Sequence, residues 1–341
     1  MPVPPGTFFG VLGYRPVNVI RTLMDGFKPL IRARRAVFGP RRPTWTLELE
    51  TVAEVLRRTA SLSTVLPLQI QRRVIDPPRP VTKPMRAVDM QPLDAGGVSA
   101  EWFSQPDSDP NRVFLYFHGG GYSTGSINSH RDFLARLCIA SGMRVLAADY
   151  RLAPEHPFPA QLEDSHRVYL WLIEEQGIHP DHIVMGGESA GGGLTLSTLV
   201  SLRDDGLPLP AGGVLISGWL DLDPRSTSMQ FNRHYDFVTR IGLRSMAKRF
   251  APRADHRNPL VSPLHADMAG LPPLLIQVGA AETLLDDNLR CAEAARSAGV
   301  DVKLEVWPDM IHAWHVFAPM LEEGRQAIQR IGDFVKDRTA D

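Results

Sequence analysis

The chain has 341 residues, of which 43% are hydrophobic and 22% are charged, as in ordinary globular proteins with a sizeable core. A formal net charge of −1 provides no global field that would attract nucleic acid. Two cysteines, Cys138 and Cys291, are too few for a disulfide framework and favour a reducing compartment. The first residues lack the pattern of a secretory signal, and no apolar run approaches the ~18 residues that span a bilayer. These features predict a cytoplasmic protein that does not bind nucleic acid.

Residues 1–43 are basic, because they contain eight arginine and lysine residues but only one acidic residue, Asp25. The basic residues are interleaved with apolar residues. One interpretation is a set of helices that cover an active site with their arginines toward water. The other is an amphipathic arm that makes weak contact with an anionic membrane surface; we favour the first. Apolar spacing predicts a helix over Glu50–Ala60. Prolines in residues 76–84 predict a linker without regular structure, so residues 1–84 form the predicted N-terminal cap segment and linker.

From residue 85 onward, short apolar runs alternate with helical periods. Two runs flank the turn Asp94-Ala95-Gly96-Gly97 and predict a hairpin, and six further runs predict buried strands. The predicted strands are Met85–Met90, Val98–Phe103, Val113–Phe117, Val145–Ala148, Ile183–Met185, Val214–Ile216, Leu274–Val278 and Val302–Val306. This alternation predicts an α/β fold with a mostly parallel eight-stranded sheet, helices on both faces and an antiparallel hairpin at one edge. Residues 85–217 and 263–341 form the predicted α/β domain, and 218–262 interrupt it as a predicted cap insertion.

A candidate nucleophile lies in Gly187-Glu188-Ser189-Ala190-Gly191, between an apolar strand and a helix of small residues. Gly-x-Ser-x-Gly in this context forms a sharp turn that presents the serine hydroxyl at a helix N-terminus. The segment Gly121–Gly125 matches the same pattern around Ser123, but it follows a glycine run and precedes no such helix. Ser189 is therefore the predicted nucleophile.

The run His118-Gly119-Gly120-Gly121 directly follows a predicted strand. Glycines allow the backbone to approach a substrate closely, and such a segment supplies oxyanion-hole N–H groups in esterases, together with the residue after the nucleophile. A glycine-rich turn without a ligand is the alternative. A phosphate cradle is excluded because no Gly-Lys-Ser/Thr follows. We expect His118 to fix the loop through hydrogen bonds rather than to act as a base.

The base and the acid should follow the serine along the chain, with the acid after a strand and the histidine near the C-terminus. His312 and His315 compete as the base, and the position of His312 ahead of the last helix favours it. The candidate acids are Glu282, Asp286, Asp287 and Asp309. Asp286 and Asp287 resemble the N-terminal charges of the next helix. Glu282 lies closest to the end of its strand and is the predicted acid.

The chain resembles the hormone-sensitive-lipase-like esterases, also called family IV carboxylesterases, of the α/β-hydrolase fold. The resemblance rests on His118–Gly121, the run Tyr150–Ala160, Gly187–Gly192, Leu271–Leu274 and the His312 loop. It implies a triad of Ser189, Glu282 and His312, and a helical cap built from the N-terminus and residues 218–262. It implies oxyanion N–H donors at Gly120, Gly121 and Ala190. Glu188 and Glu282 stand where the family often has aspartate.

The expected activity is serine-dependent hydrolysis of short- to medium-chain carboxylic esters through an acyl-enzyme. Hydrolysis of lactones, amides or terpenoid esters by the same triad is the alternative, and a receptor on this fold that lacks the histidine is disfavoured by His312. No metal or organic cofactor is implied, because there is no His-Glu-x-x-His pattern and no cysteine cluster. A homodimer is possible, and the sequence does not decide the oligomeric state. The residues expected around the substrate are His118, Gly119, Tyr122, Glu188 and Trp219.

Overall fold

The computed structural model describes residues 19–63, 66–76 and 81–340. Within these residues, eight strands form one sheet in the order β1-β2-β4-β3-β5-β6-β7-β8. Strands β3 to β8 pair in parallel, whereas β1 and β2 form an antiparallel hairpin at one edge and β2 pairs antiparallel with β4. The predicted fold is thus confirmed. The strands are β1 Asp89–Asp94, β2 Ser99–Ser104, β3 Asp109–Phe117, β4 Met143–Ala148, β5 Ile183–Glu188, β6 Gly212–Ile216, β7 Leu274–Gly279 and β8 Val302–Trp307.

Helices cover both faces of the sheet, because alternate residues of the central strands point to opposite sides. Val113 and Leu115 of β3 join the core beneath α6, α7 and α10, whereas Phe114 and Tyr116 join the core beneath α5 and α11. The helices are α1 Val19–Phe38, α2 Leu47–Ser63, α3 Leu68–Ile75, α4 Lys83–Arg86, α5 Ile127–Ser141, α6 Ala160–Glu174, α7 Ala190–Asp204, α8 Thr227–Phe231, α9 Arg240–Phe250, α10 Leu285–Ser297 and α11 Glu322–Arg338. The central strands β5, β6 and β7 are therefore buried along their whole length.

The predicted strand Met85–Met90 is wrong in its first half. Residues Lys83–Arg86 form the short helix α4, whose N-terminus is capped by the Thr82 side chain, and β1 begins only at Asp89. Pro84 lies in the first turn of α4, where a missing N–H costs no hydrogen bond. The prolines of the predicted linker therefore do not exclude helix there. Residues 77–80 of that linker lie outside the described residues.

The predicted helix Glu50–Ala60 is confirmed as the central part of α2. Apolar side chains of α1 and α2 pack against the loops that follow β7 and β8. Residues 218–262 contain α8 and α9. The division into cap segments and a two-part α/β domain stays a prediction, and residues 1–18 of the N-terminal segment lie outside the described residues. Among the described helices, none is both long and apolar enough to cross a membrane.

Candidate active site

Ser189 forms the turn between β5 and α7, and its backbone is strained. Its φ of 56° and ψ of −118° lie in a region that non-glycine residues rarely adopt, at a cost of about 1–3 kcal/mol. Three backbone hydrogen bonds hold this conformation: the Ser189 N–H donates to Ile216 O at 2.8 Å, and the Ser189 carbonyl accepts from the N–H groups of Gly193 at 3.1 Å and Trp219 at 2.9 Å. The turn leaves Ser189 partly exposed at the carboxyl edge of the sheet.

The glycines of the motif are required by close backbone contacts. A Cβ atom at Gly187 or Gly191 would collide with the carbonyl oxygen of Phe117 at the end of β3. The competing serine, Ser123, lies in a turn rather than between a strand and a helix, and it is fully buried. Its hydroxyl has no hydrogen-bond partner within the described part of the chain. This geometry matches the context that favoured Ser189 in the sequence.

The glycine loop after β3 leaves two amides unpaired. The Gly119 N–H donates to Oε1 of Glu188 at 2.6 Å, so it is not free for a ligand. The N–H groups of Gly120 and Gly121 donate to no other described residue, and neither does that of Ala190, the first residue of α7. The three amides that remain open are those expected to form an oxyanion hole.

Glu188 supports the glycine loop from behind. Its buried carboxylate accepts hydrogen bonds from the Gly119 N–H and the Tyr116 hydroxyl and lies 2.9 Å from Nε2 of His130. Burial alone would raise the pKa of Glu188, but the charge and hydrogen bond of His130, with the Tyr116 hydroxyl, lower it. Glu188 is therefore held as an anion in contact with the loop, and its lining of a substrate pocket stays a prediction.

Three other residues expected around the substrate are buried beside this loop. The His118 ring stacks on Tyr150 with centroids 4.4 Å apart, and Nδ1 of His118 lies 2.7 Å from Gly119 O. Burial and the nearby His130 lower the pKa of His118, which keeps its ring neutral. Tyr122 stacks on Phe250 with centroids 3.7 Å apart, and Trp219 lies against Tyr122. Their role in substrate binding stays a prediction.

Glu282 and His312 are in direct contact. Glu282 follows β7, His312 follows β8, and Oε2 of Glu282 lies 3.3 Å from Nδ1 of His312. Burial raises the pKa of Glu282, and the hydrogen bond with His312 offsets this only in part. Burial alone would lower the pKa of His312, but the hydrogen bond and charge of Glu282, together with Asp236 and Glu188, raise it. The pair can therefore hold a proton on His312.

The rival candidates are engaged elsewhere. His315 is buried, its Nε2 lies 2.7 Å from Oε1 of Gln277, and burial lowers its pKa to about 3, so it is a neutral core histidine. Asp286 and Asp287 lie in the first turn of α10. Asp309 forms an ion pair with Arg42 at 2.6 Å. None of the three aspartates contacts His312 among the described residues.

No hydrogen bond joins Ser189 to His312 among the described residues. The Ser189 hydroxyl and Nε2 of His312 have no hydrogen-bond partner within the described ranges. Both lie at the carboxyl edge of the sheet, Ser189 after β5 and His312 after β8, and both segments contact the end of β6 and the loop that follows it: Ser189 bonds Ile216 and Trp219, and the Ala313 N–H donates to the Ser217 hydroxyl at 3.1 Å. Without a bound substrate, catalytic hydrogen bonds are often long or absent.

Two residues at this edge were missed by the sequence reasoning. Ser217 donates its hydroxyl to Oε1 of Glu282 at 2.7 Å and accepts from the Ala313 N–H. Its position directly after β6, between the strands that carry the serine and the acid, is the signal that could have found it. Asp236 accepts from the backbone N–H groups of His312 and Thr283. Nothing in the local sequence around Asp236 indicates this position.

Comparison with known proteins agrees with this geometry. Residues 114–316 match a family described as alpha/beta hydrolase fold. An acetyl-hydrolase from Streptomyces hygroscopicus is 44% identical over 250 residues, which cover 73% of this chain and 83% of that protein. The crystal structure of EstE5 soaked with p-nitrophenyl butyrate is 41% identical in sequence, has a TM-score of 0.82, and its match covers 87% of this chain and 100% of the EstE5 chain. An esterase from the bacterial hormone-sensitive lipase family is 40% identical, has a TM-score of 0.75, and covers 94% of this chain and 99% of its own. The chain therefore belongs to the hormone-sensitive-lipase-like esterases of the α/β-hydrolase fold and is a carboxylic-ester hydrolase.

Proposed function

We propose that Ser189, His312 and Glu282 form the catalytic triad of this esterase. Ser189 Oγ attacks the ester carbonyl carbon while Nε2 of His312 takes the hydroxyl proton. Glu282 accepts the Nδ1–H of His312, which selects the tautomer with a free Nε2 and stabilises the imidazolium. The strained turn at Ser189, together with three backbone amides that have no partner among the described residues, is the observation that carries the proposal.

The amides of Gly120, Gly121 and Ala190 would bind the oxyanion of the tetrahedral intermediate. Fixed donors of this kind stabilise developing charge, and removal of one costs about 2.7–4 kcal/mol in a related system. His312 then protonates the departing alkoxide, which leaves an ester between the acyl group and Ser189. Water, deprotonated by His312, hydrolyses this acyl-enzyme and restores the free serine.

We propose short- to medium-chain acyl esters as substrates. Support comes from the name of the acetyl-hydrolase relative and from the use of p-nitrophenyl butyrate with EstE5. The same triad would also open lactones or cleave amides and terpenoid esters. Acyl-chain preference distinguishes the first class from these alternatives.

The test is hydrolysis of p-nitrophenyl esters with two to sixteen acyl carbons. We expect the highest kcat/KM among the short and medium chains, with a steep fall beyond them if the predicted cap closes over the acyl site. A maximum at sixteen carbons would contradict the substrate class. No hydrolysis of any chain by folded protein would favour a lactone or amide substrate instead, and a panel of lactones and anilides measured in parallel would identify it.

We further propose weak contact between α1 and an anionic lipid surface. Leu30, Val37 and Phe38 of α1 are 66%, 72% and 78% exposed, and Arg32 is exposed on the same helix. Apolar side chains next to cations suit the boundary between headgroups and acyl chains. This contact would bring a hydrolase close to lipid-dissolved esters.

Vesicle co-sedimentation tests the contact. We expect binding to phosphatidylglycerol vesicles at low salt, weaker binding at high salt because the charges are screened, and little binding to phosphatidylcholine. The double variant Val37→Ser and Phe38→Ser should weaken binding by about ten-fold. Ile139→Ser on α5 is the control, since this exposed apolar residue lies elsewhere. Equal binding by wild type and the double variant would contradict the contact.

We also propose a cytoplasmic location, supported by the two buried, unpaired cysteines Cys138 and Cys291. Cell fractionation tests it, and recovery outside the cytoplasm would contradict it. The homodimer stays a prediction, and sedimentation velocity is the measurement that decides it.

A further inference from the structure

Asp236 lies in the predicted cap insertion, just before α9, and is only 1% exposed. Its Oδ1 accepts a hydrogen bond from the His312 N–H at 3.2 Å and one from the Phe237 N–H at 2.8 Å. Its Oδ2 accepts from the N–H of Thr283 at 2.9 Å and from the Thr283 hydroxyl at 3.0 Å. One carboxylate thus receives four hydrogen bonds from three segments of the chain.

Two of these segments are the loops that carry the proposed acid and base. Thr283 directly follows Glu282 after β7, and His312 belongs to the loop after β8. Asn232, from the same predicted cap insertion as Asp236, donates its side-chain amide to the carbonyl of Glu282 at 2.7 Å and to that of Ala280 at 3.2 Å. The predicted cap insertion therefore holds the backbone on both sides of the Glu282 side chain.

The surrounding charges indicate what a carboxylate does at this position. His312 lies in the field of Glu282 from the loop after β7, of Asp236 from the cap and of Glu188 from the end of β5. His315, on the same loop as His312, is neutral, because burial lowers its pKa to about 3. Burial lowers the pKa of Arg57 on α2, and the charge of Asp236 offsets a small part of this lowering. The Phe237 ring packs edge-on against the His312 ring, with centroids 5.6 Å apart.

We infer that Asp236 is a positioning residue of the active site, which aligns the Glu282 and His312 loops with each other and stabilises the protonated form of His312. This inference rests on the proposed triad. A neutral hydrogen-bond acceptor could satisfy the His312 N–H, but only an anion both accepts from four donors and favours an imidazolium during acyl transfer. The hydrogen bonds that Asp236 accepts come from Phe237, Thr283 and His312 and none from Ser189, so we place its effect in the two loops.

The test is Asp236→Asn, assayed on p-nitrophenyl acetate across pH. The amide would place hydrogen-bond donors against those of Thr283 and would remove the charge. We expect kcat to fall by about 10- to 100-fold with a much smaller change in KM, because misplacement of reacting groups acts on the chemical step. The acid limb of kcat/KM should move to lower pH: without the Asp236 anion the pKa of His312 falls, so the ring stays neutral, and able to act as a base, at lower pH.

Asp255→Asn is the matched control. Asp255 is an exposed aspartate of the same cap insertion, whose carboxylate accepts from the Arg257 N–H at 2.9 Å. We expect this variant to keep the kcat and the acid limb of the wild type. A fluorophosphonate reacts with the active serine of serine hydrolases, so labelling gives the fraction of enzyme that is active. Each apparent kcat is divided by this fraction.

A folded Asp236→Asn protein with wild-type kcat and acid limb would overturn the inference. A loss of activity that matches the loss of labelled enzyme, with an unmoved acid limb, would overturn it too, since this is what a purely structural role predicts. If Asp236→Asn does not fold, Thr283→Val decides, because it removes one hydrogen bond to Asp236 but keeps the charge. A several-fold fall in kcat per labelled enzyme, with an unchanged KM, supports the inference, whereas an unchanged kcat per labelled enzyme overturns it. Wild-type protein without esterase activity, or an active Ser189→Ala variant, would instead contradict the proposed triad itself.

Discussion

Replacement of Ser189 with alanine is expected to lower kcat for p-nitrophenyl butyrate by about 10⁶-fold, the loss seen when a serine protease loses its nucleophile. The reason is that no acyl-enzyme forms without the hydroxyl, so that only the oxyanion amides and substrate binding contribute to the residual rate. KM should change little, because the substitution removes one atom from a partly exposed position. Steady-state kinetics with covalent fluorophosphonate labelling measure both effects, and the variant should not be labelled.

Ser123→Ala is the matched control for Ser189→Ala. Ser123 sits in the second Gly-x-Ser-x-Gly match, but its buried hydroxyl makes no hydrogen bond to any described residue. Its removal should leave kcat within about two-fold of the wild type. Loss of activity and labelling in Ser123→Ala, with both retained in Ser189→Ala, would assign the nucleophile to the other motif.

Replacement of Glu282 with glutamine is expected to lower kcat by about 10⁴-fold, as for the corresponding change in a serine protease. Glutamine keeps the shape and can still accept from Ser217 and the Gly279 N–H, which now bond Oε1. It would place an amide where Oε2 faces Nδ1 of His312. The histidine would then favour the tautomer whose Nε2 carries the proton, and this tautomer cannot accept the proton of Ser189.

Asp309→Asn is the matched control for Glu282→Gln, because Asp309 is the rival acid on the His312 loop. Its carboxylate pairs with Arg42 rather than with His312, so activity should stay within about two-fold while thermal stability falls slightly. Kinetics of both variants at the pH of maximal activity decide between the two residues. Full activity in Glu282→Gln together with a severe loss in Asp309→Asn would move the acid to Asp309.

Local sequence patterns were sufficient to predict the turn that carries the nucleophile and most of the strands. Residues Ile183–Met185 are an apolar run followed by two glycines, and this run indicates a buried strand that ends just before Ser189. The misplaced start of the first strand has an equally local cause. Met85 is apolar and lies next to other strand-like residues, yet Thr82 caps a short helix there, and a capping hydrogen bond outweighs a pattern of only a few residues.

Choice of the acid depended on chain order as well as on local pattern. Four carboxylates were candidates, and only distance to the end of a strand favoured Glu282. The structure confirms that Asp286 and Asp287 lie in the first turn of a helix, and it adds the reason that Asp309 fails, which is its ion pair with Arg42. Ion pairs of this kind join residues far apart in the chain, so no periodicity in the sequence could reveal them.

By itself, the sequence determined the α/β fold, the strained turn at Ser189 and the glycine loop with its open amides, because each is encoded in contiguous residues whose spacing dictates backbone geometry. Only the tertiary structure decided which groups support them. Glu188 holds the glycine loop through the Gly119 amide, and Ser217 holds the side chain of Glu282. Asp236, from the predicted cap insertion, joins the loops that carry Glu282 and His312. These contacts form near the carboxyl ends of the strands, and the folding of the sheet brings together residues that the chain keeps up to 76 positions apart.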